Sequence, residues 1–181
     1  GQFSDVQTSV VSPRCTHEYA IQIARQKTSE GAGQVLQAMC IYLDLPDETV
    51  DTWHRAFIDL ATARQLVSDV YDVWGKSFSP DIANHRCTLP LTLALDLLDA
   101  DHRLTLNELL QDAVYNDGIH RQIRELLTDT GILEHAQAAI MPLVQSGMEY
   151  IAKLSIPSPE RQLIDAWFNF GNPFDFTGPA K

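Results

Sequence analysis

The stretch RQLVSDVYDVWGKSFSPDIANHRCTLPL, residues 64–91, decides how the chain folds and where its chemistry lies. Its first part reads as the end of a long helix, in which Asp69 and Asp72 stand three positions apart. Residues i and i+3 leave the same face of a helix, so both carboxylates point the same way. Two carboxylates this close suit a hard divalent cation such as Mg2+, above all one that also holds a phosphate. Lys76 and Arg86, in the loop that follows, supply the positive charge that a diphosphate needs.

The bulk composition is ordinary for a soluble globular protein. The chain has 181 residues, of which 45% are hydrophobic and 20% are charged, so we expect one domain over residues 1–181. The net charge of -11 argues against general nucleic-acid binding, which requires a basic face. Acidity does not exclude a diphosphate ligand, because metal ions bridge carboxylates to phosphates. The longest apolar run, residues 89–98, is too short to span a bilayer.

The cysteines and histidines indicate neither zinc nor a disulfide framework. Cys15, Cys40 and Cys87 are widely spaced and form no CxxC pair, which favours a reducing, cytoplasmic compartment and no structural zinc. The six histidines show neither H-x-x-x-H nor HExxH spacing, so a zinc site is not expected.

Apolar residues recur at helical spacing, and no segment shows a clear period of two, which predicts an all-α bundle around a central cavity. The expected helices cover residues 16–43, 48–74, 88–99, 106–113, 118–128, 132–154 and 159–170. Gly31 and Gly33 predict a break in the first of these or a close helix contact. Asp47 and Thr88 are expected to cap helices, and residues 77–86 to form a loop.

The helix over residues 48–74 is expected to line the cavity, with its C-terminal end at the mouth. The side chains predicted for its inner face are Trp53, Phe57, Leu60, Ala61, Arg64, Gln65, Ser68 and Asp72. Tyr71 and Trp74, near the mouth, are expected to be core residues.

The stretch resembles the second aspartate-rich region of the trans-prenyl diphosphate synthases, which have the class I isoprenoid synthase fold. The family pattern runs Q-x-x-D-D-x-x-D, then G-K, then a loop with D and K, then T-L-P. The residues in register are Gln65, Asp69, Asp72, Gly75, Lys76, Asp81, Arg86, Thr88, Leu89 and Pro90. Two positions depart from the pattern: Ser68 replaces the first aspartate, and Arg86 stands where the family usually has lysine. A hydroxyl is a poorer Mg2+ ligand than a carboxylate.

The resemblance extends over nearly the whole chain, in family order. Gly1-Gln2 with Asp5 is similar to the family's G-Q-x-x-D segment, Lys27-Thr28 to its K-T pair, and residues 118–154 to its C-terminal helices. The family's first aspartate-rich motif lies upstream of G-Q-x-x-D, and no DDxxD occurs in the 181 residues. We therefore expect the C-terminal half to two-thirds of a longer enzyme.

The resemblance implies Mg2+-dependent ionisation of an allylic prenyl diphosphate and its condensation with isopentenyl diphosphate, by a protein that is a homodimer. It assigns metal binding to Asp69 and Asp72, diphosphate binding to Lys27, Thr28, Lys76 and Arg86, and catalytic roles to Lys27, Gln65 and Lys76. Ser68 leaves other hypotheses open. A second hypothesis is a divergent member of the family that prenylates another acceptor, such as a peptide side chain, or cyclises its substrate. A third hypothesis is an inactive regulatory subunit that pairs with an active synthase.

Two further acidic segments resemble metal-binding motifs but fit them poorly. DLLDADHRLTLNEL, residues 96–109, lacks the central glycine and the last glutamate of a calcium loop. NDGIHRQIRE, residues 116–125, has its glutamate one position late for the Mg2+ motif of terpene cyclases. We expect both to be helix caps with solvated faces.

Overall fold

The computed structural model describes residues 9, 10, 12 and 14–168, without the side chains of residues 115, 167 and 168. In chain order, the helices are α1 (His17–Ala24), a π-helical turn (Arg25–Ser29), α2 (Glu30–Tyr42), α3 (Asp47–Trp74), α4 (Pro80–Ala83), α5 (Leu89–Leu97), α6 (Ala100–Asp112), a 3-10 turn (Ala113–Tyr115), α7 (Asp117–Asp129), α8 (Ile132–Ala152) and α9 (Ser158–Phe168). Within these ranges, extended backbone pairs only in an isolated bridge between Ser9 and Arg86. The all-α prediction is therefore confirmed.

α1, the π-helical turn and α2 follow one another without a break. The Thr16 hydroxyl caps α1, so the predicted start of this segment is confirmed. The break predicted near Gly31 and Gly33 is wrong, but the alternative of a close contact at Gly33 is right. A Cβ atom on Gly33 would lie 2.8 Å from Ile58 Cδ1 of α3, so glycine lets α2 approach α3 closely.

α3 is the central element, because it contacts α1, the π-helical turn, α2, α4, α5 and α8, and α8 most extensively. Being contacted from several sides, it does not have the single inner face that the sequence predicted. Arg64 and Ser68 are exposed, whereas Leu66 and Val70 are fully buried. The cap predicted at Asp47 is also wrong, since Pro46 holds the N-cap position of α3 and Asp47 is already helical.

The two aromatic residues near the C-terminal end of α3 differ from each other. Tyr71 is 39% exposed, so its expected place in the core is wrong. Trp74 is half-buried and packs against the core, and its Nε1–H donates to Thr128 Oγ1 of α7 at 2.9 Å.

Apolar side chains form two cores, one packed against each half of α3. The larger core joins α1, the C-terminal half of α3, α5, α6, α7 and α8. The smaller one centres on Ala56, Leu60 and Ile151. Burial of these side chains holds the C-terminal end of α3 in a fixed position among its neighbours.

The two acidic segments that resemble metal motifs are helix caps, as expected. Asp99 accepts the His102 N–H at 2.9 Å at the start of α6. Asn116 Oδ1 accepts the Gly118 N–H at 3.0 Å at the start of α7. None of the helices in the described ranges is long and apolar enough to cross a membrane.

Cys15 and Cys87 are joined by a disulfide bond, with Cα atoms 5.8 Å apart, whereas Cys40 is free and buried. This pair was not predictable from the sequence, because the two cysteines are 72 positions apart and lie in no recognisable disulfide pattern. The inference of a reducing compartment from the cysteines therefore loses its basis, since disulfides persist mainly in oxidising environments. The bond ties the segment before α5 to the start of α1.

Candidate diphosphate and metal site

The loop after α3 is organised around the Asp72 carboxylate, which is buried. Oδ1 of Asp72 pairs with Lys76 Nζ one turn later. Oδ2 accepts the Ser79 hydroxyl at 2.6 Å and the Asp81 N–H at 3.1 Å. A carboxylate offers about four lone-pair positions, so three are already used within the chain. Asp72 therefore fixes the loop as well as carrying charge.

The loop predicted over residues 77–86 is wrong in its middle part, where the short helix α4 forms. Ser79 caps α4, because its Oγ accepts the Ile82 N–H at 3.1 Å. Pro80 fits the first helical position, where a missing N–H costs nothing.

Lys76 is held as a cation. Its hydrogen bond to Asp72 raises the pKa of Lys76 above its usual value against the opposing effect of desolvation, and the charges of Asp72 and Asp81 act in the same upward direction. The Lys76 side chain is 45% exposed, so it remains accessible to an anion at the end of α3.

A second chain of hydrogen bonds joins the π-helical turn to α3. The Thr28 hydroxyl donates to Gln65 Oε1 at 2.7 Å, and Gln65 Nε2–H donates to Asp69 Oδ1 at 2.8 Å. Asp69 is 9% exposed. Next to Thr28, Lys27 is exposed in the same turn. π-helical turns are frequent at functional sites, because the wider turn shifts side chains out of regular helical register.

Lys27, Gln65 and Asp69 meet at one small pocket, together with Asp81 and Thr88. The rest of the lining comes from α1 and Cys87. The cavity volume is about 10 Å3, enough for roughly one water molecule. A phosphate group therefore enters only if lining side chains such as the exposed Lys27 move outward.

Asp81 and Thr88 were not among the candidate site residues chosen from the sequence. Both were recognised as family positions in the loop, and that register was the signal that would have identified them. Asp81 reaches the pocket because α4 brings it there, and α4 itself was not predicted.

Thr88 carries a buried hydroxyl that lacks a hydrogen-bond partner. The residue stands at the N-cap position of α5 with 4% exposure, but its side chain does not cap the helix. Thr88 Oγ1 is the one buried side-chain oxygen or nitrogen without a partner in the part of the chain that the structure describes. An unpaired buried hydroxyl costs about 1–3 kcal/mol, and a ligand oxygen in the pocket would remove that cost.

The remaining predicted site residues lie outside the pocket lining. Asp72 and Lys76 are linked to it through the Asp81 backbone. Arg86 lies in the segment between α4 and the disulfide, and its N–H donates to Asp81 O at 2.9 Å. Gly1-Gln2 and Asp5 lie outside the described residues. Across residues 9, 10, 12 and 14–168, no three His, Cys, Asp or Glu side chains are grouped so as to hold a metal ion by themselves.

Comparison with known proteins identifies structures that share the fold and a family that matches the sequence. Two solved structures share the fold: a decaprenyl diphosphate synthase from Rhodobacter capsulatus (TM-score 0.75, 21% identity) and a geranylgeranyl pyrophosphate synthase (TM-score 0.78, 19% identity). These alignments cover 93% and 92% of this chain but only 52% and 54% of the others, so the chain spans about half their length. No curated protein sequence matches the chain significantly. The polyprenyl synthetase family matches residues 1–127, and the chain belongs to that family.

Proposed function

We propose that this chain forms part of a prenyltransferase of isoprenoid biosynthesis, which condenses an allylic prenyl diphosphate with isopentenyl diphosphate. The observation that carries the proposal is the pocket where Lys27, Gln65 and Asp69 meet Asp81 and Thr88. It combines a cation, two carboxylates and polar groups at one point, which is the chemistry that a metal-bound diphosphate requires. Family membership and the shared fold support the same reaction class.

The residues of the pocket fit Mg2+ together with a diphosphate. Mg2+ is usually held by one or two carboxylates plus substrate phosphates, and Asp69 and Asp81 both line the pocket. Thr88 supports the fit, because its unpaired hydroxyl has the donor that a phosphate oxygen accepts. Asp72 has about one lone-pair position left, so we propose it as a further metal ligand whose main contribution is to fix Lys76 and Asp81.

Each residue has a defined part in the proposed reaction. Mg2+, when bound, supplies positive charge that stabilises the diphosphate as it leaves. Lys27 and Lys76 add charge beside the departing oxygen, and Arg86 offers a planar fork instead of the point charge of lysine. Thr28 orients Gln65, whose amide in turn orients Asp69.

The chemical step balances without a further reactant. The allylic C–O bond breaks and its electron pair leaves with the diphosphate. The double bond of isopentenyl diphosphate then forms the new C–C bond, and a proton passes to the released diphosphate, which restores an alkene. Phe57, which is half-buried, and Ala61, both on α3, are the proposed lining for the hydrocarbon.

The homodimer and the second substrate are proposals of the same kind. Exposed apolar side chains on α2 support a protein interface there, since Val35, Met39 and Tyr42 are 61%, 57% and 90% exposed on one helix face. The mass of the protein in solution, measured by light scattering, tests whether two copies associate.

A second candidate is a subunit without catalytic activity that pairs with an active synthase. Ser68 favours it, because the hydroxyl that replaces the first aspartate of the motif is exposed and is a weak metal ligand. Divergent members with another acceptor, or a cyclising member, differ only in what attacks the allylic carbon.

Turnover separates these functions. The chain is incubated with Mg2+, isopentenyl diphosphate and either geranyl or farnesyl diphosphate, with Asp69→Ala as the control. A Mg2+-dependent, chain-extended product that the variant forms at least a hundredfold more slowly supports the synthase. Consumption of the allylic substrate without isopentenyl diphosphate supports cyclisation or another acceptor. Binding of Mg2+ and diphosphate without any turnover, alone or in the presence of cell extract, supports the subunit.

A further inference from the structure

His120 is fully buried on α7, and both of its ring nitrogens are hydrogen-bonded. Nε2 lies 2.7 Å from Ala113 O, and a carbonyl oxygen only accepts, so Nε2 carries the hydrogen. Nδ1 lies 3.0 Å from Ser79 N and accepts its N–H. The Phe78 ring stacks on the imidazole with centroids 4.6 Å apart. The imidazole is thereby fixed in one tautomer and one orientation.

Ser79 transmits this fixed position to the loop after α3. Its N–H is held by His120, while its hydroxyl donates to Asp72 Oδ2 at 2.6 Å. The same oxygen accepts the Asp81 N–H, and the other oxygen pairs with Lys76. One continuous chain of hydrogen bonds therefore runs from α7 to the residues proposed to hold metal and diphosphate.

Arg124, one turn further along α7, holds the same loop by its backbone. Its Nη1 donates to Lys76 O at 2.8 Å and to Ser77 O at 3.1 Å. α7 therefore holds both ends of residues 76–79, Lys76 through Arg124 and Ser79 through His120. Of these bonds, the one to His120 continues to a carboxylate, that of Asp72.

We propose that His120 is a positioning residue for the diphosphate and metal site: it fixes the Ser79 backbone so that the Ser79 hydroxyl holds Asp72. The inference rests on the proposed function, since it concerns the same site. His120 does not line the pocket and acts only through Ser79 and Asp72.

Two conservative variants separate this role from simple packing. In His120→Asn, the amide oxygen takes the place of Nδ1 and still accepts the Ser79 N–H, but the bond to Ala113 is lost. In His120→Gln, the amide nitrogen takes the place of Nε2 and still donates to Ala113 O, but Ser79 N–H is left unpaired. Glutamine is closer to histidine in size, so packing alone would favour His120→Gln.

The experiment measures binding of inorganic diphosphate in the presence of Mg2+ by calorimetry, and hydrogen exchange of the Ser79 amide by NMR. We expect His120→Asn to keep Ser79 protection and wild-type affinity within about threefold. We expect His120→Gln to lose that protection and to bind about tenfold more weakly. His85→Gln is the control, because its ring also bonds a carbonyl, Leu110 O at 2.7 Å, without contacting Ser79.

The outcomes distinguish the two proposals. Equal affinity for His120→Gln and wild type, with Ser79 exposed to exchange in the variant, overturns the positioning role while the site itself stands. Greater loss of affinity in His120→Asn than in His120→Gln also overturns it. Absence of any Mg2+-dependent binding by the wild-type chain overturns the proposed site, and the positioning role with it, even if Ser79 exchange follows the expected order.

Discussion

Thr88 differs from the other polar residues of the pocket because its hydroxyl is buried and unpaired. Replacing it with valine keeps the shape and removes the unpaired group. We expect Thr88→Val to raise the free energy of unfolding by about 1 kcal/mol and to weaken Mg2+-dependent diphosphate binding by roughly fivefold, the value of one hydrogen bond. Chemical denaturation and calorimetry measure the two effects.

Thr92 gives a matched control, because its buried hydroxyl donates to Thr88 O at 2.9 Å and Leu89 O at 3.0 Å within α5. Thr92→Val is expected to lower stability by about 1 kcal/mol without changing affinity. If both variants lower stability and neither changes affinity, the Thr88 hydroxyl has no part in ligand binding.

Asp72 is expected to matter for stability as well as for binding. Asp72→Ala leaves the Ser79 hydroxyl and the Asp81 N–H unpaired and separates Lys76 from its partner, so we expect a loss of about 3 kcal/mol in unfolding free energy. Asp96→Ala removes the more exposed pair with His17, at 2.7 Å, and is expected to cost under about 1 kcal/mol. Urea denaturation of both variants checks this, and equal losses would mean that Asp72 does not organise the loop.

Among the individual residues of the site, some positions were predictable from the sequence. The others depend on contacts that only the folded chain makes. The sequence alone predicts that Gln65 and Asp69 lie one turn apart on a helix and that Lys76 follows directly after the end of that helix. Two other features depend on how the chain turns at α4. They are the hydrogen bond between Ser79 and Asp72, and the lack of a hydrogen-bond partner for the Thr88 hydroxyl. His120 gave no signal, because its role arises from a contact across 41 positions.

α3 and α8 share the most extensive contact between two helices of the described residues, and Gly147 permits it. A Cβ atom there would lie 2.5 Å from Leu60 Cγ and 3.2 Å from Ala56 O, so the helices would have to separate. We expect Gly147→Ala to destabilise the protein by about 1–3 kcal/mol, the range for overpacking. Thermal and urea unfolding measure the change.

Gly31 is the matched helical glycine, since nothing lies within 4 Å of a Cβ atom built there. Gly31→Ala is expected to stabilise the protein by about 0.5–1 kcal/mol, because alanine favours the helix. A stabilising Gly147→Ala would show that α3 and α8 are not in close contact.

Element boundaries followed the sequence well where periodicity is strong, as in α3, which ends at Trp74 as expected. They failed where a helix is short or continues through glycine, and at the start of α6, which begins at Ala100 and not at residue 106. α4 has four residues, too few for a period to appear, and Gly31 sits inside a helix that α3 stabilises from one side. The π-helical turn shifts the helical register of the side chains, but its amino-acid composition is that of an ordinary helix. It is therefore visible only in the structure.

At the scale of the whole molecule, the Cys15–Cys87 disulfide closes the longest covalent loop in the described part of the chain. A loop of this size restricts the unfolded chain, so its loss costs about 2–4 kcal/mol. We expect Cys15→Ala with Cys87→Ala to unfold at lower urea concentration by that amount, and Cys40→Ala to serve as the unpaired control. Peptide mapping without reductant should recover the linked pair. Recovery of all three cysteines as free thiols would contradict the Cys15–Cys87 disulfide.

The whole chain spans about half of the synthases that share its fold, so its own contribution to the site must be measured directly. The most direct test is calorimetric titration of the chain with inorganic diphosphate, with and without Mg2+, for wild type and Asp69→Asn. The proposed site predicts binding that requires Mg2+ and falls at least tenfold in the variant. Binding that is absent, or that is independent of both Mg2+ and Asp69, would contradict it.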